Sequence, residues 1–313
     1  MKAATIGECM IELSRRPGGQ YAMAHGGDSL NTAVYLARLG VDVDYVTALG
    51  NDPYSAAMLA AWQAEGVGTG QVRQLAGRLP GIYVIETDDR GERQFFYWRD
   101  RAPARDLFAL PETPDICAAL AGYGLIYLTG VSLSLYGEAG REKLFGTLST
   151  ARRRGGLIAF DSNFRPRNWP DPEEARAAFR SALALADIAL CGADDFRALF
   201  GSEQPPLDIC RKAGVAEIVV KDGAEPALVV LGGRETVVPI ESPRQPVDTT
   251  AAGDSFAAAY LAARLAGAVP EAAALNGHRL AGAVIMHPGA IMSGRAMPDG
   301  LIRLRIDEGK DAS

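Results

Sequence analysis

Residues 247–262 read VDTTAAGDSFAAAYLA. The first half is Thr, Ala, Gly and Asp with almost no bulk. The second half carries Phe256, Tyr260 and Leu261 at helical spacing, with alanines between them. A turn of small residues therefore runs straight into a helix N-terminus. Such an end presents unpaired N–H groups and about half a positive charge. Ala251, Ala252 and Gly253 have little side chain to screen those groups, so an anion can come close. Asp254 stands at the same end. A carboxylate beside an anion-binding turn suits a base that takes a proton from a nucleophile, while the turn holds the charge developing on the transferred group. That is the layout a small-molecule kinase needs. The plainer alternative is an Asp cap on an Ala-rich packing helix.

A second constellation lies at residues 25–40, HGGDSLNTAVYLARLG. Leu30, Val34, Leu36 and Leu39 give a helical face and Gly40 stops it. The glycines at its start, Gly27 among them, let backbone approach a ligand. Asp28 and Asn31 sit about one turn apart, so both can point at one small molecule. Ordinary N-capping by Asp28 is the alternative. Two arginines, Arg99 in the stretch YWR and Arg165 in DSNFRPRNW, have tyrosines Tyr83 and Tyr97 for company. A guanidinium fork suits a carboxylate better than a neutral hydroxyl, so two near one site suggest an acidic sugar. Taken singly, Arg99 could be a solvated hairpin residue and Arg165 a helix-start charge. Lys221 at a strand end is placed either near phosphate or in solvent.

The elements that must position these groups alternate. Strands are expected at 3–13, 41–52, 125–130, 156–160 and 217–230, the last as strand, turn and strand. Helices are expected at 53–66 and 271–286, and residues 181–190 read as a helix running into a strand. This rhythm argues for a parallel sheet covered on both faces. Ligands in such sheets bind outside the carboxyl ends of the strands, where the loop holding Arg165 falls. Segments 81–87 and 94–99 flank the polar turn 88–93 and make a hairpin. It breaks the βαβ order and is placed outside the main sheet.

With 313 residues and 48% hydrophobic content, the chain can bury a large core. A net charge of −6 gives no support for binding nucleic acid or an anionic membrane. No run of 18 apolar residues suggests a membrane span, and the start reads as a first strand instead of a signal peptide. Cys9, Cys117, Cys191 and Cys210 are widely spaced, which fits free thiols in a reducing cytoplasm. There is no G-x-x-x-x-G-K-[ST] and no G-x-G-x-x-G after the first strand, which speaks against a P-loop kinase and a dinucleotide-dependent oxidoreductase.

The stretch DTTAAGD resembles the Asp-Thr-x-Gly-Ala-Gly-Asp signature of the ribokinase-like (PfkB) carbohydrate kinases, with Ala251 in place of the first glycine. Alanine keeps the N–H but restricts φ. GGDSLN resembles the N-terminal Gly-Gly-x-x-x-Asn of the same family. The resemblance implies one kinase domain over 1–313, a three-layer α/β/α sandwich with a mostly parallel sheet. It implies a small β lid built from about 12–25 and 81–100, which excludes water and can pack on a second subunit in a homodimer or higher homo-oligomer.

It further implies ATP and Mg²⁺ as cofactors and admits a monovalent cation such as K⁺. Asp254 would be the general base, with the amides of Ala251, Ala252, Gly253 and Asp254 on the phosphoryl group. Gly27, Asp28 and Asn31 would hold sugar hydroxyls. Asn163, Lys221, Gly223, Ala224, Glu225, Gly253 and His278 would meet ATP. Asp194 would assist Mg²⁺ through water, at a point where many members have Asn-x-x-Glu and this chain has Cys191 and Asp194. Within the family, Tyr97-x-Arg99 with a second arginine, here Arg165, narrows the resemblance to the 2-keto-3-deoxygluconate kinases, which phosphorylate the terminal hydroxyl. Tyr83 and Tyr97 would complete that substrate site. A fructokinase or ribokinase, or a non-catalytic sugar or nucleotide sensor on the same fold, are the competing expectations. The Gly253-Asp254 pair argues against the sensor, which needs no base.

Overall fold

The computed structural model describes residues 1–16, 18–87, 93–241 and 245–304. The main sheet begins with β1 (Ala3–Ile6), whose four residues are all buried. The chain then leaves that sheet for β2 (Met10–Arg15) and β3 (Tyr21–Gly26), enters helix α1 (Asp28–Arg38), and returns through β4 (Val43–Gly50), helix α2 (Pro53–Ala64) and β5 (Val72–Leu75). The excursion β6 (Ile82–Thr87) and β7 (Arg93–Trp98) follows, then α3 (Thr113–Leu120). Strand β8 (Leu125–Thr129), short α4 (Gly130–Leu135), α5 (Glu138–Arg153), β9 (Leu157–Asp161), α6 (Pro172–Leu185), β10 (Ile188–Gly192), α7 (Ala193–Phe200), α8 (Pro206–Ala213) and β11 (Glu217–Lys221) continue the alternation. Strands β12 (Ala227–Leu231) and β13 (Arg234–Val238) precede α9 (Ala252–Leu265) and α10 (Pro270–Val284).

The nine strands of the main sheet lie in the order β13-β12-β11-β10-β9-β8-β1-β4-β5. All neighbours from β5 to β11 are parallel; β12 and β13 add an antiparallel margin. Because strand side chains alternate between faces, Ala3, Tyr45 and Tyr127 enter one core with α1, α2, α9 and α10. Ile6, Val46 and Leu128 enter a second core with α3 to α8. The result is the three-layer sandwich, with two hydrophobic cores instead of one.

The stretch 3–13, read as a single strand, is two. β1 pairs with β4 and β8, whereas β2 pairs with β3 and β6 in a separate four-stranded sheet ordered β3-β2-β6-β7. Apolar pattern alone carries no mark of that change of partner. This second sheet is the lid, and its hairpin β6–β7 is antiparallel as expected. The expected turn at 88–93 lies outside the described residues apart from Arg93, which begins β7. The tail beyond 304 also lies outside them. Among the described residues, no helix is long and apolar enough to cross a membrane.

Candidate active site

Asp28, Asn163, Lys221 and Asp254 come together around the carboxyl ends of the parallel strands. α1 starts at Gly27, whose extended backbone lies so close to the β1–β2 connection that a Cβ would meet the Glu8 carbonyl oxygen at 2.1 Å. Only glycine fits there. That approach fixes Asp28 in the first turn. Its Oδ2 accepts from Thr129 Oγ1 at the end of β8 and from Asn163 Nδ2 beyond β9, both at 2.6 Å. Asn163, expected at ATP, is therefore bound to Asp28, and it takes a left-handed backbone (φ 26°) to do so.

One turn on, Asn31 Nδ2 donates to Asp254 Oδ2 at 2.9 Å. Thr32 Oγ1 donates weakly to the Asp254 carbonyl at 3.4 Å. The two separate signatures of the sequence thus meet side chain to side chain. Asp254 lies in the first turn of α9 and is half-buried. Burial, then the like charge of Asp28, raise its carboxyl to about 7 from the ordinary 3.8, against the hydrogen bond from Asn31. An acid poised there is half ionised at neutral pH, as a general base needs.

The turn before α9 is braced from below. Buried Asp248 accepts from Thr250 N at 3.0 Å, Thr250 Oγ1 at 2.7 Å and Gly289 N at 2.7 Å. Ala251 caps the helix in the left-handed conformation, φ 61° and ψ 16°. This is why a glycine is usual there: a Cβ makes that conformation cost roughly 1–2 kcal/mol. The Ala252 amide donates to the Thr249 carbonyl at 3.2 Å, so the amides left open are those of Ala251, Gly253 and Asp254. Gly253 is exposed, and a Cβ on it would meet nothing nearer than Lys221 Nζ at 3.8 Å. Space over the turn is open, with a cation beside it. Lys221, at the end of β11, also pairs with buried Asp161 at 2.7 Å and lies 5.8 Å from the Phe256 ring. Burial, the largest effect, holds the Asp161 carboxyl above the usual range despite that lysine.

Other expected nucleotide residues are placed less tightly. Gly223, Ala224 and Glu225 form the exposed turn after β11, closed by Glu225 N on the Asp222 carbonyl at 2.9 Å. His278 on α10 packs edge-on against Phe256 at 5.2 Å, and its Nε2 lies 3.2 Å from the Val238 carbonyl. Its polar edge is engaged within the fold.

Asp194 falls outside the cleft. The first turn of α7 sends it to solvent, 82% exposed, where it pairs with Arg197. The next residue turns inward: Asp195 Oδ2 accepts from Ser162 Oγ at 2.7 Å, and that hydroxyl accepts from Gly192 N at 2.8 Å. Cys191, at the position expected to be polar, is buried with Cys210, Sγ to Sγ 3.5 Å, and both thiols are free. Among the described residues, no three His, Cys, Asp or Glu side chains converge on a metal cage.

The lid brings Tyr83 and Tyr97 into a stack at 5.7 Å, and the Tyr83 hydroxyl donates to Glu12. Arg99 at the lid's base is 10% exposed and pairs with buried Glu8. Burial pushes the Glu8 carboxyl up, while Arg99 and then Arg105 draw it down. Arg165 is half-exposed, donates to the Phe164 carbonyl at 2.8 Å and sits 3.6 Å from Asp195. The arginine that meets the lid is Arg167, whose Nη2 donates to the Tyr97 hydroxyl at 2.7 Å and whose guanidinium lies 4.1 Å from that ring's centre. Sequence reasoning passed over Arg167, Asp195, Glu8 and Arg105. The repeat Arg-Pro-Arg at 165–167 is the visible signal for Arg167: the 3-10 turn Pro166–Asn168 separates the directions of its two arginines.

The sequence pattern of pfkB family carbohydrate kinases matches residues 1–296. A 2-dehydro-3-deoxygluconokinase of Escherichia coli K12 is 46% identical over 307 residues, covering 95% of this chain and 99% of that one. The crystal structure of 2-dehydro-3-deoxygluconokinase from Thermotoga maritima superposes with TM-score 0.79 at 22% identity, covering 95% of this chain and 98% of that one. That of a fructokinase from Xylella fastidiosa with bound ATP also gives 0.79 at 22%, covering 95% of each. At this identity the two structures speak for the fold.

Proposed function

Because the chain belongs to the pfkB family of carbohydrate kinases, we propose that it transfers the γ-phosphoryl group of ATP to the terminal hydroxyl of 2-keto-3-deoxygluconate, giving the 6-phosphate. One observation carries the transfer: Asp254 stands beside the open amides of Ala251, Gly253 and itself, within hydrogen-bond reach of Asn31. Identity of 46% to an enzyme of that name, over nearly both chains, favours the acid sugar over a neutral one.

Asp254 takes the hydroxyl proton as the oxygen attacks phosphorus. The amides at the head of α9 and Lys221 hold the charge on the transferring group. Asp28 and Asn31 orient the sugar, and Asn163 and Thr129 hold Asp28 in turn. Arg99 meets the substrate carboxylate from the lid. Arg165 joins it by giving up a long, solvated contact with Asp195, which costs little. The exposed turn Gly223–Glu225 and the α10 edge near His278 border the nucleotide.

Mg²⁺ neutralises phosphate charge when ATP is bound. The carboxylates present fit a cation carried mainly by phosphates and water, since Asp161 is taken by Lys221 and Asp195 by Ser162 and Arg165. One kinase domain over 1–313, with lid segments about 12–25 and 81–100, is the matching organisation. The exposed lid residues Met23, Phe96 and Trp98 offer an apolar face to a second copy in a homo-oligomer. The absence of a spanning helix suits a cytoplasmic enzyme.

The test is ADP release from Mg-ATP with 2-keto-3-deoxygluconate, its C4 epimer, gluconate, fructose and ribose, with and without K⁺. The expected result is a kcat/KM at least about tenfold higher for a keto-deoxy acid than for either neutral sugar, equivalent to one carboxylate–guanidinium contact. A neutral sugar preferred overturns the substrate and leaves Asp254 in place. No turnover with any of them favours a sensor.

A further inference from the structure

A cavity of about 410 Å³ opens where the lid base faces the loop after β9 and the start of α5. Tyr97, Arg99, Arg105, Tyr136, Arg141 and Arg167 are among its lining residues. Four guanidinium groups around one space are more than a solvated surface explains. Two of them have partners within the fold. Arg141 donates to the Tyr136 carbonyl at 2.6 Å and pairs with Glu174, and Arg167 is held on Tyr97. Arg99 is engaged on one side only: it pairs with Glu8, yet its buried Nε makes no hydrogen bond. Arg105 is half-buried, and its side chain has neither hydrogen bond nor ion pair among the described residues; its charge bears on Glu8.

The backbone under Arg105 is rigid. It belongs to the 3-10 turn Pro103–Asp106, in which Pro103 and Ala104 are buried. Arg78 Nη2 clamps that turn through the Arg101 carbonyl and the Asp106 carboxylate, both at 2.8 Å. A long cation pinned at its base, partly desolvated and unpaired, costs free energy unless an anion arrives. Side chains link the cavity wall to the sugar site: Tyr97 stacks on Tyr83, whose hydroxyl lies against Gly26 just before Gly27 and Asp28.

We propose that Arg105 is a further specificity-determining residue, which with Arg99 receives the carboxylate of the sugar acid in this cavity. The proposal rests on the acid-sugar reading above and adds a residue to it. Glu8 then serves as the positioning partner that turns Arg99 toward the cavity. It prevents two facing cations from standing uncompensated before substrate binds.

Steady-state kinetics of wild type, Arg105→Ala and Arg105→Lys, with 2-keto-3-deoxygluconate and with fructose, test this. Arg105→Ala is expected to raise KM for the acid about tenfold to a hundredfold, as loss of a charge-assisted pair does. Its kcat should stay within about twofold, and KM for fructose should not move; Arg105→Lys should recover part of the loss. Its side chain is half-buried and makes no hydrogen bond or ion pair among the described residues, so no loss of thermal stability is expected in either variant. An acid KM that does not move, or that moves equally with fructose, overturns the proposal while the kinase assignment stands. Wild type that fails to phosphorylate the acid overturns the substrate reading and this one with it.

Discussion

Replacing Asp254 by Asn should make the enzyme slower and the fold more stable, and the second effect should depend on pH. Asp254 has a folded-state pKa of about 7 against an ordinary 3.8, owing first to burial and then to Asp28. A raised folded pKa means that the protonated group favours the fold in full below about pH 4. That contribution is lost as pH rises through about 7. About three units at 1.36 kcal/mol each set a ceiling of roughly 4 kcal/mol at pH 8. Asp254 is half-buried, so water screens part of this and about 2 kcal/mol is the working figure.

Asn keeps an oxygen for the Asn31 amide and carries no charge at any pH. The variant should therefore melt about 3 °C higher than wild type at pH 8, at about 1.5 °C per kcal/mol for a chain of 313 residues. The gain should shrink to about a third at pH 5. Scanning calorimetry at both pH values reads this, and ADP release reads a rate loss of about a hundredfold or more. For wild type, kcat/KM should climb with pH and level off above about 7. A melting gain equal at pH 5 and pH 8 would refute the buried-charge argument. A rate within threefold of wild type would refute the base.

Gly253→Ala should separate folding from function in the same direction. A Cβ there meets no atom of the fold within 3.4 Å but stands over the open amides, so stability should hold or rise by up to about 1 kcal/mol while kcat/KM falls at least tenfold; a fully active variant would show that the phosphoryl group lies elsewhere. Asp248→Ala removes its hydrogen bonds with the Thr250 amide and hydroxyl and with the Gly289 amide, and chemical denaturation should record a loss of about 3 kcal/mol. A loss below 1 kcal/mol would mean that the loop is braced by other contacts. Asp28→Asn removes the like charge that helps hold Asp254 up, so the acidic limb of kcat should move to lower pH while KM rises; a limb that stays put would leave burial as the whole cause.

The two ends of the candidate site were legible in the sequence because their geometry is local. A run of small residues before an apolar helix makes an open N-terminus wherever it stands. Asp28 and Asn31, three apart on a helix, share a face without help from the rest of the chain. The alternation of strands and helices likewise announced a parallel sheet, and with it the edge at which loops would meet. What the sequence left open were the long-range pairings. That Asn31 touches Asp254, 223 residues away, follows from α1 and α9 packing on the same face of the sheet. Residues 3–13 read as one strand, yet half belongs to the core and half to the lid, because pairing partners are chosen by tertiary contacts. Asp195 and not Asp194 faces inward because the helix phase of α7 is set by burying Phe196 and Leu199. Of the four arginines that line one cavity, the fold engages Arg141 and Arg167 with neighbours. It pairs Arg99 on one side and leaves Arg105 open, because a charge finds its partner through distances that only the packed chain defines.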